Sequence, residues 1–262
     1  MRPDYKNWVP TSMVIGFFAG GAICVIIAAA IGLLLSVGAL KTVLLIVFIV
    51  GAAILAAAGV WMLALHNMFS YTGKRKMSKQ IIDGVASYVK IPDGGKGLDV
   101  GCGSGALTIA VAKNNPNAEI TGTDIWSGAY KAVFTKELCE NNAKAEGVTN
   151  TCFEPGNALD LPFEDESFDA VFSNYVYHNI PSRNRQEILL ETLRVLKKGG
   201  TFAIHDIFSK SKYGDMQAFC KKLKDMGYEC VELIDTTGGL FMTKKETLWM
   251  ELSGSAILYG KK

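Results

Sequence analysis

An α/β fold is predicted by this 262-residue sequence: a mostly parallel sheet covered by helices on both faces and preceded by two transmembrane helices. Three observations carry that expectation. Short apolar runs alternate with helical stripes through the second half of the chain, and such alternation builds parallel sheets with helices on both faces. A glycine-rich turn, Gly97-Leu98-Asp99-Val100-Gly101-Cys102-Gly103-Ser104-Gly105, falls between a buried strand and a helix. Two nearly unbroken apolar runs, 13–37 and 42–65, come before both. Each exceeds the ~20 residues that cross a bilayer core as a helix.

The apolar runs are separated by Gly38-Ala39-Leu40-Lys41, which suggests a helical hairpin with both ends on one side. Arg2 and Lys6 precede the first run, Lys74-Arg75-Lys76 and Lys79 follow the second, and only Lys41 lies between. Cytoplasmic flanks carry the excess of Lys and Arg. The expectation is therefore a two-helix, multi-pass protein of the cell membrane with its termini in the cytoplasm. Trp8, Trp61, Phe69 and Tyr71 stand where interfacial aromatics are expected. The competing reading is a signal peptide over 1–38 cleaved after Ser36-Val37-Gly38, but its apolar run is longer than the about 7–15 residues of a typical signal core. The expected domains are a transmembrane hairpin over 1–67 and a soluble domain over 68–262.

Within the soluble domain, Ile81, Ile82, Val85, Tyr88 and Val89 form a helical stripe, and Pro92-Asp93-Gly94-Gly95 breaks it ahead of the first strand. After the glycine turn, Ala106, Leu107, Ile109, Ala110 and Ala112 continue as a helix. Residues 118–125 read as a second strand. Tyr130, Val133, Phe134 and Leu138 make the next stripe, with Gly147 as its stop. A third strand leads into Glu154-Pro155-Gly156-Asn157-Ala158, and the acidic run Glu164-Asp165-Glu166 is a solvated turn before a fourth strand, Phe168-Asp169-Ala170-Val171-Phe172-Ser173-Asn174. Ile188, Leu189, Leu193 and Leu196 repeat the helical pattern before Gly199-Gly200. Further strands are expected at 201–207, 230–234 and 255–259.

Glycine lacks a Cβ, so its backbone turns sharply and approaches a ligand closely. Ligands of open α/β sheets bind at such strand ends. Gly101-x-Gly103-x-x-Ala106 also meets the relaxed dinucleotide fingerprint, which leaves two kinds of nucleotide cofactor open. Asp99 suits a cofactor carrying positive charge better than one led by pyrophosphate. Asp124 lies 23 positions after Gly101, near the ~20-residue offset of a ribose-binding acid; a helix cap is the other reading of that carboxylate. An amide at Asn157 can hydrogen-bond an adenine edge, and Leu161-Pro162-Phe163 can wall the ring.

Taken in order, these motifs resemble a class I S-adenosylmethionine-dependent methyltransferase, of the broad group that includes quinone-biosynthesis and other small-molecule methyltransferases. The similarity covers roughly residues 77–262 and includes Leu193-Arg194-Val195-Leu196-Lys197-Lys198-Gly199-Gly200. Asn157 stands where the group often has Asp. The resemblance implies a Rossmann-like sheet of seven strands, the last inserted antiparallel, and S-adenosyl-L-methionine as cofactor. It implies that Asp99 and the turn residues Gly101, Cys102, Gly103 and Gly105 hold the methionine portion. Asp124, with Ile125 beside it, would take the ribose, Asn157 and Ala158 the adenine, and Asn174 would lie beside the reactive sulfonium.

Methyl transfer is an in-line displacement in which positioning alone contributes much. The catalytic candidates follow the fourth and fifth strands. His178 is the best candidate base because imidazole titrates near neutrality; a hydrogen-bonding support is the other reading. Tyr175 orients a substrate or covers the cofactor. His205-Asp206 forms an oriented base, or Asp206 caps the next helix. Thr236-Thr237-Gly238-Gly239-Leu240 is a candidate substrate rim or a plain connecting loop.

Composition narrows the substrate. Beyond residue 67 the chain carries 24 basic and 24 acidic residues. Nucleic-acid partners are disfavoured, since phosphate contacts demand a basic surplus. Six cysteines show no C-x-x-C spacing and three dispersed histidines give no metal motif; no metal is expected. The hairpin holds the pocket near a bilayer, which favours a lipophilic small molecule or lipid as methyl acceptor. Attack on a sulfonium by a thiolate or phenolate annihilates charge, which a dry pocket rewards, so thiol or phenol oxygen acceptors are expected over amines. A non-catalytic S-adenosylmethionine-binding membrane scaffold and a nicotinamide oxidoreductase are the alternatives.

Overall fold

The computed structural model describes residues 2–126 and 133–262. The chain divides into two compact units: Lys6–Lys79, and Gln80–Lys262 together with residues 2–5. The division thus falls later than the expected 67/68. Ser78 explains part of this, because its hydroxyl donates to the Phe69 carbonyl (2.6 Å) and ties the polar linker to the helix before it.

The first unit is a pair of helices, α1 (Thr11–Leu34) and α2 (Ala39–Phe69). Both are long and apolar enough to cross a membrane. Small residues let them approach: a Cβ on Gly21 would lie 3.5 Å from the Ala52 carbonyl, and one on Gly59 would press on the Phe18 ring at 3.1 Å. Ile15, Ile26, Ile54 and Val60 remain exposed. Lys41 lies in the first turn of α2 rather than in the connection. Its ammonium donates to the Gly32 and Leu35 carbonyls (2.7 and 3.0 Å), satisfying the open end of α1. At 31 residues α2 measures about 46 Å, longer than the ~30 Å hydrocarbon core of a bilayer. Its polar end is pinned: His66 Nδ1 lies 2.7 Å from the Val9 carbonyl, and Asn7 donates to the His66 carbonyl at 2.8 Å.

The second unit runs α3 (Met77–Ser87, its first turn grouped with the hairpin), β1 (Lys96–Val100), α4 (Ala106–Asn114), β2 (Glu119–Asp124), α5 (Lys136–Ala145), β3 (Thr151–Pro155) and β4 (Phe168–Asn174). It continues through α6 (Arg185–Arg194), β5 (Leu196–Ile207), α7 (Lys210–Tyr213), α8 (Met216–Asp225), β6 (Cys230–Asp235), α9 (Lys244–Trp249) and β7 (Ser255–Lys261). The seven strands lie in the order β3-β2-β1-β4-β5-β7-β6. β1 to β5 pair in parallel, and β7 runs antiparallel between β5 and β6. This is the expected Rossmann-like architecture. Leu98, Val171, Leu189, Leu193, Phe202 and Leu258 form the centre of its core, each at most 1% exposed.

Two local expectations change. Leu196 belongs to β5, paired with Phe168, rather than to the stripe of α6. The strand then shifts register before Thr201 pairs with Ala170, and Gly199 at φ 78° allows that irregularity. In the expected stripe before Gly147, Tyr130 lies outside the described residues; α5 starts later, capped by the Thr135 hydroxyl, which accepts from Leu138 N–H at 3.0 Å.

Candidate active site

The sheet order reverses between β1 and β4: β1 continues outward to β2, and β4 outward to β5. Ligands of open α/β sheets sit at the carboxyl ends of strands at such a point. The glycine turn leaves β1 there. Gly101 and Cys102 N–H both donate to the Thr123 carbonyl (2.7 and 3.0 Å), clamping the turn to β2. Gly101, Gly103 and Gly105 all take positive φ, at 76°, 55° and 79°, a region that costs other residues a Cβ clash. Their surroundings differ. A Cβ on Gly101 would lie 2.5 Å from the Val176 methyls, whereas one on Gly103 would meet nothing within 4 Å among the described residues. The turn is packed at its start and open at its middle.

Asp99 is buried beneath the turn and accepts from the Thr108 hydroxyl at 2.6 Å. Burial pushes its carboxyl up to about 7, against the pull of that hydrogen bond. Cys102 is buried, and burial beside Cys139 pushes its thiol well above the ordinary range. Cys139 Sγ reaches the Gly103 carbonyl at 3.2 Å. Both thiols support the turn.

At the end of β2, Asp124 accepts from Gly103 N–H (3.0 Å) on one oxygen and from Trp126 N–H (2.9 Å) on the other. Ile125 is 57% exposed, unusual for a large apolar side chain beside a carboxylate and a glycine turn. Trp126, which the sequence reading passed over, has φ 38° and donates its indole N–H to the Gly103 carbonyl at 3.1 Å. The aromatic residue two positions past the acid was the available signal.

Beyond β3, the Asn157 side-chain oxygen accepts from Leu159 N–H at 3.0 Å. It therefore closes its own turn, which leaves its NH2 and the second lone pair of that oxygen for a ligand. Ala158 and Leu161 are buried. Arg194 braces this wall by donating to the Phe163 and Leu161 carbonyls (2.9 and 3.0 Å), while Glu191 accepts from Leu161 N–H at 2.9 Å. Asp165 is the acid of the expected solvated turn that Arg194 also holds, at 2.6 Å.

The ends of β4 and β5 carry the polar cluster. Asn174 Oδ1 lies 2.7 Å from His205 Nδ1, and His205 Nε2 lies 3.1 Å from the Thr236 hydroxyl, which also reaches the Ser255 carbonyl at 2.9 Å. His205 is fully buried, and burial drives its pKa down to about 3. A neutral ring with both nitrogens engaged holds neighbours in place. Tyr175 sits at φ 56° with its ring 4.5 Å from that of His205. Its hydroxyl meets Ser255 Oγ at 2.9 Å, and Ser255 Oγ donates to the Leu252 carbonyl, so the phenol is the donor of the pair. Burial pushes the Tyr175 phenol up, keeping it protonated.

His178 differs. Its Nδ1 lies 2.6 Å from Asp206 Oδ1 and its backbone N–H donates to Asp206 Oδ2 at 3.2 Å. Asp206 is fully buried, while the His178 side chain is 14% exposed. With Nδ1 donating to the Asp206 oxygen, the tautomer that remains has its lone pair on Nε2. Sequence reasoning linked Asp206 to its neighbour His205 or to a helix cap; the sheet gives it to His178 instead. The sequence-predicted residues, Asp99, Gly101, Cys102, Gly103, Gly105, Asp124, Ile125, Asn157, Ala158, Asn174, Tyr175, His178 and His205, all lie at the carboxyl ends of β1 to β5. The open space at Gly103, the exposed Ile125 and the carboxylate of Asp124 fit an adenosine-bearing cofactor that approaches the backbone closely.

Known proteins extend this picture. The crystal structure of the [4+2]-cyclase SpnF superposes with a TM-score of 0.55 at 19% identity, over 74% of this chain and 85% of that one. An O-methyltransferase structure from Nostoc punctiforme superposes with a TM-score of 0.50 at 18% identity, over 71% of this chain and 57% of that one. At those identities the fold alone is shared. In sequence, the demethylmenaquinone methyltransferase of Staphylococcus aureus is 33% identical over 138 residues, which are 52% of this chain and 51% of that protein. The chain thus spans about half the length of the curated relatives it matches. A family model for a methyltransferase domain matches residues 91–254, from just ahead of β1 to the residue before β7. That match takes in the glycine turn, Asp124 and the His178 segment in one span, so the chain belongs to the methyltransferase-domain family.

Proposed function

We propose that the chain is a membrane-anchored methyltransferase acting on a lipophilic small molecule or lipid, with a thiol or phenol oxygen as the favoured acceptor. The observation that carries this reading is the joining, in one chain, of a methyltransferase domain to two helices each able to span a bilayer. The name of the Staphylococcus aureus relative, a demethylmenaquinone methyltransferase, points to a quinone-like acceptor.

Residues 2–5 support the expected topology. Asp4 N–H donates to Asn142 Oδ1 (2.7 Å), Asn142 Nδ2 donates to the Asp4 carbonyl (3.0 Å), and the Tyr5 hydroxyl donates to Glu146 at 3.1 Å. The segments before and after the hairpin therefore belong to one folded unit, which supports a reading in which both ends of the hairpin lie on the same side of the membrane. By the distribution of Lys and Arg, that side is the cytoplasm.

When bound, S-adenosyl-L-methionine supplies a methyl carbon on a positively charged sulfur. Asp99 and the turn from Gly101 to Gly105 would hold its methionine portion, Asp124, with Ile125 beside it, its ribose, and Asn157 and Ala158 its adenine. Asn174, fixed by His205, borders the reacting carbon. His178 Nε2 takes the proton of the acceptor as the new bond forms, with Asp206 holding the ring. Tyr175 and His205 shape the pocket without exchanging protons.

Incubating full-length protein with membrane extract and isotopically labelled S-adenosylmethionine tests the proposal. S-adenosylhomocysteine and a labelled lipophilic thiol or phenol ether are the expected products. Label confined to amines would overturn the acceptor assignment, and label confined to water-soluble compounds would overturn the lipophilic one.

A further inference from the structure

The second unit exposes six large apolar side chains among its described residues: Ile125, Leu159, Met226, Leu240, Leu248 and Trp249. Ile125 and Leu159 belong to the cofactor side. Three of the others cluster in the segment between β6 and β7, with Leu248 75% exposed, Leu240 45% and Trp249 43%.

That segment has two faces. Its inner face closes the acceptor side of the site: Thr236 meets His205, and the Phe241 ring lies 5.4 Å from the His205 ring. Its outer face combines apolar and cationic groups. On α9, Lys244 stands one turn before Leu248 and Lys245 one turn before Trp249, all exposed, while Thr247 and Met250 turn inward. Exposed Leu and Trp flanked by lysines is the composition that suits a lipid headgroup boundary.

Exposed lysines continue along this edge. Lys210 and Lys212 of α7 are exposed, and that turn joins the β7 approach where Phe208 N–H donates to the Gly254 carbonyl at 2.9 Å. The acids nearby are engaged internally. Asp235 accepts from the Thr237 N–H and hydroxyl, Glu246 closes the capping box with Thr243, and Asp215 caps α8. Asp215, Asp235 and Glu251 are themselves exposed, so lysines and carboxylates are interspersed here.

We infer that this edge of the catalytic unit, through the exposed Leu240, Leu248 and Trp249, dips into the headgroup region of a bilayer and forms the lateral entrance for the acceptor. The inference deepens the reading of a lipophilic substrate: the acceptor leaves the bilayer between this apolar tip and the His205 wall without crossing water. It also explains why a chain already tethered by two helices keeps an exposed Leu-Trp pair beside its pocket.

The test uses the full chain in nanodiscs of mixed phosphatidylglycerol and phosphatidylcholine carrying brominated acyl chains. Tryptophan emission is compared between the native chain and Trp249→Phe. The expected result is a quenching component present in the native chain and lost in the variant, stronger with bromines near the carbonyls than near the chain ends. Leu248→Glu is expected to lose most of that component while leaving S-adenosylmethionine affinity native. Equal quenching in native and Trp249→Phe overturns the inference, as does a Trp249 shielded from bromine and cross-linked to a second copy. The quenching itself involves neither turnover nor cofactor, so its failure leaves the methyltransferase reading intact, and a failed turnover assay leaves the lipid contact intact.

Discussion

Asp99 and His205 are pushed in opposite directions by one cause, the cost of holding a charge away from water. Asp99 is raised from 3.8 to about 7, so its contribution to stability is full below about pH 4 and is lost as pH rises through 7. The linkage amounts to roughly 4 kcal/mol. In urea titrations from about pH 5 to about pH 8, the stability of the native chain relative to Asp99→Asn is expected to fall steadily. Calorimetry should also register proton release when S-adenosylmethionine binds below pH 7, because its cationic end draws the Asp99 proton away; Asp99→Asn should show none. His205, depressed to about 3, works the other way, with stability lost as pH falls from the ordinary histidine range toward that value. His178 carries the activity prediction. His178→Ala is expected to lower kcat by about 10²–10⁴-fold, the usual contribution of a positioned base, at unchanged cofactor affinity. Asp206→Asn, which keeps an acceptor in place, should lose less than Asp206→Ala. Asp124 was legible because its spacing after Gly101 is set along the chain. Asp206 as the partner of His178 was not, since the two lie 28 residues apart and meet only because β4 and β5 pair in parallel.

Among the elements, the glycine turn separates folding from binding. Gly103→Ala places a methyl in open space and costs about 1–2 kcal/mol for its positive φ, so the variant should fold yet bind S-adenosylmethionine weakly. Gly101→Ala adds a clash with Val176 and should lower the melting temperature further. Calorimetric Kd beside thermal melts checks both; native affinity in a folded Gly103→Ala would remove the turn from the cofactor site. The start of β5 shows where periodicity misleads. Leu193 and Leu196 share helical spacing, yet Leu196 is buried by pairing with Phe168, and a fully buried leucine satisfies either pattern. Arg194 gave no local sign of its role, because the two carbonyls it holds are 31 and 33 residues away.

For the whole molecule, the clasp of Asp4 and Tyr5 on α5 makes topology testable. In sealed vesicles, a tag at the N-terminus and one at the C-terminus should both be cleaved, or both protected, by the same external protease. Opposite protection would overturn the hairpin. The SpnF cyclase shows that this fold hosts other chemistry, which is why the catalytic assignment rests on the family match and on the arrangement around His178. Chain order alone determined the two apolar helices, the strand–helix alternation, the glycine turn and the acid that follows it, because each is written in spacing, composition or the missing Cβ of glycine. Only the folded sheet decided which histidine is buried and which is served by Asp206, which way Asn157 points, and where Leu248 and Trp249 emerge. Those outcomes depend on burial and on hydrogen bonds between strand ends far apart in sequence, and no local pattern encodes them.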